Sequence, residues 1–184
     1  RYEKGKTVSK LTVIGTSKTT GTKMSFKADE SIFEDVNYEF NILVQRLREL
    51  SFLNKGLKII LKDERDNNQV TFLHDGGIVD FVKYINKNKD AVNQKVIYFE
   101  GVKDGNQVEV ALQYTDTYTE NIFSYANNIH THEGGTHEFG FKSALTRVMN
   151  DYARKQNLLK ENDNNLAGED IREGLTAVLS VKVL

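Results

Sequence analysis

Val96-Ile97-Tyr98-Phe99-Glu100-Gly101-Val102, Lys103-Asp104-Gly105-Asn106 and Val108-Glu109-Val110-Ala111-Leu112-Gln113-Tyr114 follow one another along the chain and decide the fold. Two runs rich in Val, Ile, Tyr and Phe flank a tetrapeptide whose Asp, Gly and Asn suit a tight turn, so an antiparallel hairpin is expected. Val108, Val110 and Leu112 alternate with polar Glu109 and Gln113, the period of a strand with one buried face. Glu120 to His130 reads as a third strand. Leu175 to Val183 is apolar enough to lie centrally in the same sheet.

Working outward, residues 38–53 are expected to be helical. Phe40, Leu43, Val44, Leu47, Leu50 and Leu53 recur at helical spacing, with Asn37 as N-cap and Asn54-Lys55-Gly56 as the stop. Leu57–Lys62 and Val70–Leu73 form a second hairpin around the charged turn Asp63–Asn68. Gly76-Gly77 opens a helix over about residues 78–88, with Ile78, Phe81, Val82 and Ile85 as its apolar face. A long helix over about Thr136–Asn157 carries Phe141, Leu145, Val148, Met149 and Tyr152 as its stripe. Asn162–Gly168 is a polar loop, and Gly168–Gly174 holds one helical turn. Near the start, residues 8–15 and Thr22–Lys27 read as two antiparallel strands around the loop Gly15–Gly21. Such a ribbon is marginal alone in water and has to lean on something else. Strands joined mainly by hairpins and interspersed with helices predict an α+β fold, a mainly antiparallel sheet with helices packed on one face.

The composition of the 184 residues narrows the function classes. Lys and Arg number 25 against 26 Asp and Glu, for a formal net charge of -1, so a globally basic nucleic-acid binder is not indicated. There is no Cys, which excludes disulfide scaffolds, zinc ribbons and thiol catalysis and suits a reducing cytoplasm. No apolar run approaches the roughly 18 residues that a membrane helix requires. Pro is also absent, which we read as a compositional bias of the source genome. Arg1 at the start and a strand still running at Leu184 suggest a piece of something larger.

Four clusters have both a chemical and a plain reading. His130, His132, Glu133, His137 and Glu138 could hold a metal, but the pattern is not HExxH, the run lacks Cys, and a strand-turn-helix junction also collects polar caps. In that second reading Thr136 is an N-cap and Glu138 favours the helix dipole. Gly134-Gly135-Thr136 can cradle an anion or simply supply a tight turn. Gly21 and Thr22 can line a ligand pocket or shape a loop. Lys142, Arg147, Arg154 and Lys155 are either a solvated helix face or a sparse basic row along a phosphate backbone. No Walker or dinucleotide-binding glycine pattern is present, and no Ser-His-Asp order stands out.

Several stretches together resemble the DNA gyrase B family. They are Thr20-Gly21-Thr22, Arg46 through Gly56, Gly76-Gly77-Ile78, Val108 through Tyr114, Tyr118 through Ile122, Asn127 through Glu138, and Arg172-Glu173-Gly174-Leu175-Thr176-Ala177. They cover essentially the whole chain in order. The B subunit of topoisomerase IV, a decatenating enzyme, is the close alternative. A stand-alone nucleic-acid-binding module and a histidine-based metal site are the remaining classes.

The resemblance implies that residues 1–30 are the last strands of a GHKL-type ATPase domain. Residues 31–184 would be most of a transducer domain, GHMP-kinase-like with a left-handed crossover, cut just before a phosphate-contacting lysine loop. It implies an ATP-dependent type IIA topoisomerase that uses ATP and Mg²⁺ in its intact form and introduces negative supercoils. The expected partners are a gyrase A subunit, a second B subunit and double-stranded DNA, with no membrane and a cytoplasmic location. The family's general base, magnesium ligand and glycine-rich lid would precede Arg1, so no catalytic residue, metal or cofactor is expected in this chain alone. Thr22 corresponds to the threonine that helps hold adenine, in the pocket also used by aminocoumarins, with Gly21 keeping that loop close. Lys142 corresponds to the basic residue facing the cavity for the transported DNA segment. The histidines correspond to nothing the family requires.

Overall fold

The structure, a computed structural model, describes residues 1–184, which separate into two compact units, Arg1–Phe40 and Asn41–Leu184. In the first unit the paired strands are β1 (Tyr2–Glu3) and β2 (Lys6–Thr7), antiparallel around Lys4 and Gly5, both at positive φ. The strands expected over 8–15 and 22–27 do not form. Leu11, Val13, Ile14, Met24 and Phe26 are all exposed there. A two-stranded ribbon with no third strand or helix against it does not bury enough apolar surface to offset chain entropy. An edge-on contact between Phe26 and Tyr38, centroids 5.3 Å apart, is the main ring contact of this unit.

Helix α1 (Phe40–Leu53) ends as expected. The Asn54 N–H donates to Leu50 O, and Gly56 takes φ 76, a conformation with little cost only for glycine. Its start differs from expectation. Asn37 does not cap it; the Asn37 N–H donates instead to Asp35 Oδ1 at 2.8 Å, a local turn that competes with helix. Strands β3 (Ile59–Asp63) and β4 (Asn68–Phe72) make the second hairpin. Helix α2 (Ile78–Ile85) follows Gly77 at φ 59, and the Asp80 carboxylate accepts the Gly76 N–H at 2.9 Å. Its Ile78, Phe81 and Val82 are buried against Phe52 of α1, as their spacing predicts.

Strands β5 (Ile97–Lys103) and β6 (Asn106–Tyr114) pair antiparallel across Asp104 and Gly105, both at positive φ. The expected third strand is itself a hairpin. β7 (Asn121–Ala126) and β8 (Ile129–His130) turn through Asn127 and Asn128 at φ 49 and 66, the left-handed pair that a two-residue hairpin needs. Helix α3 (Thr136–Lys155), the short α4 (Gly168–Arg172) and strand β9 (Leu175–Lys182) complete the chain.

The sheet order is β5-β6-β9-β7-β8, with β9 in the centre, antiparallel to β6 and parallel to β7. A parallel pair requires a crossover, and α3 supplies it. Both faces are covered, contrary to the one-sided packing expected. Adjacent residues of a strand point to opposite faces. Ala111 and Val178 belong to the cluster with α1 and α2, whereas Val110, Leu112, Ala177 and Leu179 pack under Phe141 and Leu145 of α3. The polar Gln113 is therefore buried rather than outward. Gln113 Oε1 accepts from Asn86 Nδ2 at 3.0 Å, and Gln113 Nε2 donates to Asn93 O at 2.9 Å. Thr176 Oγ1 donates to Asn86 Oδ1 at 2.8 Å, so the buried amides are satisfied.

The α3 stripe is also shorter than its spacing suggests. Phe141 and Leu145 face the sheet, but Val148 and Tyr152 are exposed, while Asn150 and Ala153 turn inward. Asn150 binds both Leu166 O and Leu166 N–H, and those two bonds set the rotation of the helix's second half.

Gly174 fixes the entry to β9. It has φ 73, and a Cβ there would lie 2.5 Å from Thr115 O and 2.7 Å from Thr117 O. Gly174→Ala is expected to cost about 3 kcal/mol, from left-handed strain plus overpacking. Gly101→Ala, where a Cβ meets open space, is expected to stay within about 0.5 kcal/mol. Urea unfolding midpoints of the two variants check this, and equal midpoints would refute it.

Candidate functional site

Three connected ion pairs among Glu120, Glu138, Lys142 and Arg172 lie near the start of α3. Gly134, at φ 74, and Gly135 turn the chain from β8 into α3, with Gly134 N–H donating to Thr131 O. Thr136 is the first helical residue and not the N-cap, a position that Gly135 takes. The Glu138 carboxylate lies against this turn, about where a Cβ on Gly134 would touch it. A carboxylate already beside those amides disfavours a second anion, so the glycines here serve the turn.

Lys142 stands one turn further on. Its Nζ is 2.9 Å from Glu138 Oε1 and 2.9 Å from Glu120 Oε1. The other oxygen of Glu120 accepts from Arg172 Nε at 2.9 Å. Glu138 Oε2 accepts from Ser124 Oγ at 2.7 Å, and Ser124 Oγ is 2.8 Å from Thr131 Oγ1. Thr131 Oγ1 is in turn 3.2 Å from His137 Nε2. One continuous chain of polar groups thus joins α4, the segment before β7, α3 and the β7–β8 hairpin. Desolvation raises the Glu120 and Glu138 carboxyls, but hydrogen bonds from Lys142, with Arg172 or Ser124, outweigh it and hold both below their usual value. Desolvation lowers Lys142, and the two carboxylates outweigh that and raise it.

The rest of the basic row divides. Arg154 is a clamp and not a solvated cation. It donates to Asn165 Oδ1, Lys160 O and Asp163 O, and so pins the polar loop after α3. Arg147 and Lys155 are exposed. The histidines go to different partners. His130 packs on Tyr125 and against His132, centroids 4.9 and 3.9 Å apart, while His137 meets Thr131. Glu133 is exposed. No three His, Asp or Glu side chains converge on a point that a metal would occupy.

Gly21 and Thr22 lie in the first unit on an exposed stretch without regular structure, where a Cβ on Gly21 would meet open space.

Of the network, only Lys142–Glu138 was legible in sequence, as an i,i+4 pair on a helix. Glu120, Thr131 and Arg172 fall in stretches that resemble the family, but no sequence spacing pairs them, or Ser124, with Lys142 or Glu138. Each is brought in by strand register and by the crossover rather than by sequence spacing.

The fold is found in solved structures of gyrase B and of a topoisomerase IV ATP-binding domain. The 43K ATPase domain of Thermus thermophilus gyrase B, solved in complex with an aminocoumarin, superposes with a TM-score of 0.76 at 37% identity, over 85% of this chain and 43% of that one. A topoisomerase IV ATP-binding domain from Francisella tularensis reaches 0.69 at 20% identity, over 85% and 41%, a likeness of fold alone. A family model described as DNA gyrase B matches residues 77–184. The DNA gyrase B protein of Clostridium acetobutylicum is 60% identical over 99% of this chain and 29% of its own length. That of Bacillus mycoides is 52% identical over 99% of this chain and 46% of its own length. The chain belongs to the DNA gyrase B family, and spans less than half the length of these curated relatives.

The lowered carboxyl of Glu138 makes stability depend on pH. A carboxylate with a depressed folded pKa contributes its stability above its unfolded value, here 4.5, and loses it as pH falls through the folded value. Glu138→Gln is expected to cost about 2 kcal/mol at neutral pH, where a charged hydrogen-bond acceptor is lost. It is also expected to lose less stability than the parent on acidification below that value. Urea midpoints at neutral and acid pH check both, and parallel losses in the two proteins would refute the assignment.

Proposed function

We propose that this chain is the transducer region of a gyrase B protein, residues 31–184, preceded in 1–30 by the last strands of a GHKL ATPase domain. The observation that carries this is 60% identity to a gyrase B protein across 99% of the chain. The compact units divide between Phe40 and Asn41, ten residues beyond that domain assignment, at the first helix. In this reading the exposed apolar residues Leu11, Val13 and Ile14 are sheet residues that pair within a complete ATPase domain.

The enzyme would be an ATP-dependent type IIA topoisomerase that passes one duplex through another and introduces negative supercoils. ATP and Mg²⁺ supply the driving reaction when bound to the intact enzyme. Gyrase A, a second B subunit and double-stranded DNA are its partners, in the cytoplasm. Thr22, with Gly21, would contact the nucleotide base. Lys142 would face the transported DNA segment, and as a cation on a flexible stem it would meet a phosphate without the planar fork of arginine.

The role of this region is mechanical. Nucleotide binding elsewhere favours one arrangement of the B subunits, and the β9-centred sheet carries that change as a rigid body. No step of ATP cleavage is assigned to residues of this chain.

Two assays test the reading. The 184-residue chain is expected to show no Mg²⁺-dependent ATP hydrolysis. The gyrase B protein containing it, assembled with gyrase A, is expected to supercoil relaxed circular DNA only when ATP is present. Turnover by the chain alone would mean a catalytic site within it. Decatenation without supercoiling would move the enzyme to topoisomerase IV.

A further inference from the structure

Glu120 is held as a phosphate would be. Its two oxygens are divided between two cations on separate elements, Lys142 of α3 at 2.9 Å and Arg172 of α4 at 2.9 Å. Glu120 sits in the irregular segment before β7, next to the exposed Tyr118 and Thr119. Its side chain is 31% exposed, so it can leave for solvent without unpacking the core.

The cations are placed differently. Lys142 has a second, independent tether in Glu138, which Ser124 holds from β7. Arg172 is only 15% exposed and is fixed by the helical turn just ahead of Gly174. With Glu120 in place the four charges, Lys142, Arg172, Glu120 and Glu138, sum to zero. With Glu120 swung out, the same pocket carries a net positive charge on two preplaced donors.

We infer that Lys142 and Arg172 together form a phosphate cradle for duplex DNA, and that Glu120 occupies it as an internal competitor in the absence of DNA. The inference rests on the gyrase reading of Lys142 and adds two things to it, a second phosphate-binding residue and a gate. A phosphodiester oxygen replaces a carboxylate oxygen at each cation, so charge-assisted hydrogen bonds are exchanged and not lost. The barrier to DNA is then the release of one carboxylate, 31% exposed, from its two cations. The gate also explains how a chain with a net charge of -1 can offer a cationic site only where a phosphate presses in.

The test is duplex DNA binding by this chain, followed by fluorescence anisotropy over a range of salt. Glu120→Gln is expected to bind about tenfold more tightly than the parent, the worth of one additional charge-assisted contact. Its log–log salt slope is expected to steepen by about 0.9, one further phosphate neutralised. Asp151→Asn removes an equal charge from an exposed position on α3 and is expected to change affinity less than about twofold. Adding Arg172→Gln to Glu120→Gln is expected to abolish the gain.

If Lys142→Gln weakens binding but Glu120→Gln and Asp151→Asn gain equally, the DNA reading stands and the cradle is refuted. If neither the parent nor Glu120→Gln binds duplex even at low salt, both are refuted. A measurement on the unaltered chain guards against folding defects. The Arg172 Nε–H resonance is expected to shift on adding duplex and to shift far less with inorganic phosphate at equal phosphate concentration. An equal shift would make this a free-phosphate site and overturn the assignment to DNA, and no shift with duplex would overturn the cradle.

Discussion

Strand β9 is hydrogen-bonded along both edges and covered on both faces, and the second unit is arranged around it. Seven of its eight residues are buried, from Leu175 to Val181. A strand in that position can form only if each backbone group has a partner, because none can reach water. β6 supplies one edge and β7 the other, in opposite senses. The sense of β7 forces a crossover, and the crossover brings α3 over one face. The other face then goes to α1 and α2, whose Phe52 and Phe81 stack with centroids 4.7 Å apart. Gly174 is the steric condition for this. The strand turns in beneath Thr115 and Thr117 through a space that admits no side chain.

Burial on both faces creates a difficulty that polar side chains resolve. Gln113 and Thr176 lie opposite one another in register on β6 and β9, in the layer that also holds Ala111 and Val178 and packs on the aromatic and aliphatic side chains of α1 and α2. Asn86, at the C-terminal end of α2, bonds to both. Three separate elements are thereby fixed in one register, since any slip would leave a buried amide unpaired. The Asn127-Asn128 turn acts similarly at the far end of the sheet. Asn127 exchanges two hydrogen bonds with Val183 beyond β9, and Asn128 reaches Asn54 beyond α1.

What the sequence revealed follows from how local each cause is. α2, the β5–β6 hairpin and the central place of β9 depend on spacing within ten or so residues, and all were legible. Alternation alone puts Gln113 on the polar face of β6, because its partners, Asn86 and Asn93, are distant in sequence and have no periodic signature. The β7–β8 hairpin reads in sequence as one strand because Asn-Asn is a weaker turn signal than Asn-Gly, although both reach the left-handed region. The strands over 8–15 and 22–27 have sound alternation, but alternation specifies a face and not the partner that covers it. In the charge network only the helical pair Lys142–Glu138 has a sequence spacing. Glu120 and Arg172 are 52 positions apart and meet because β7 and β9 run side by side in the same direction.

That last juxtaposition links the fold to the proposed role. The parallel β7–β9 pair places the start of both strands at one end of the sheet, and each start brings a charged neighbour, Glu120 before β7 and Arg172 before β9. α3 passes over that end and adds Lys142 between them. The side chains of these ion pairs are only partly shielded from water, between 15% and 31% exposed. Their geometry is nonetheless constrained from three elements at once, each rooted in the sheet. In the proposed role, a rigid-body displacement of the sheet would move these charges together, whereas a phosphate taken up by Lys142 and Arg172 would displace Glu120 alone. Mechanical coupling and charge exchange would then meet at one residue, in a segment short enough to rearrange while β9 stays fixed.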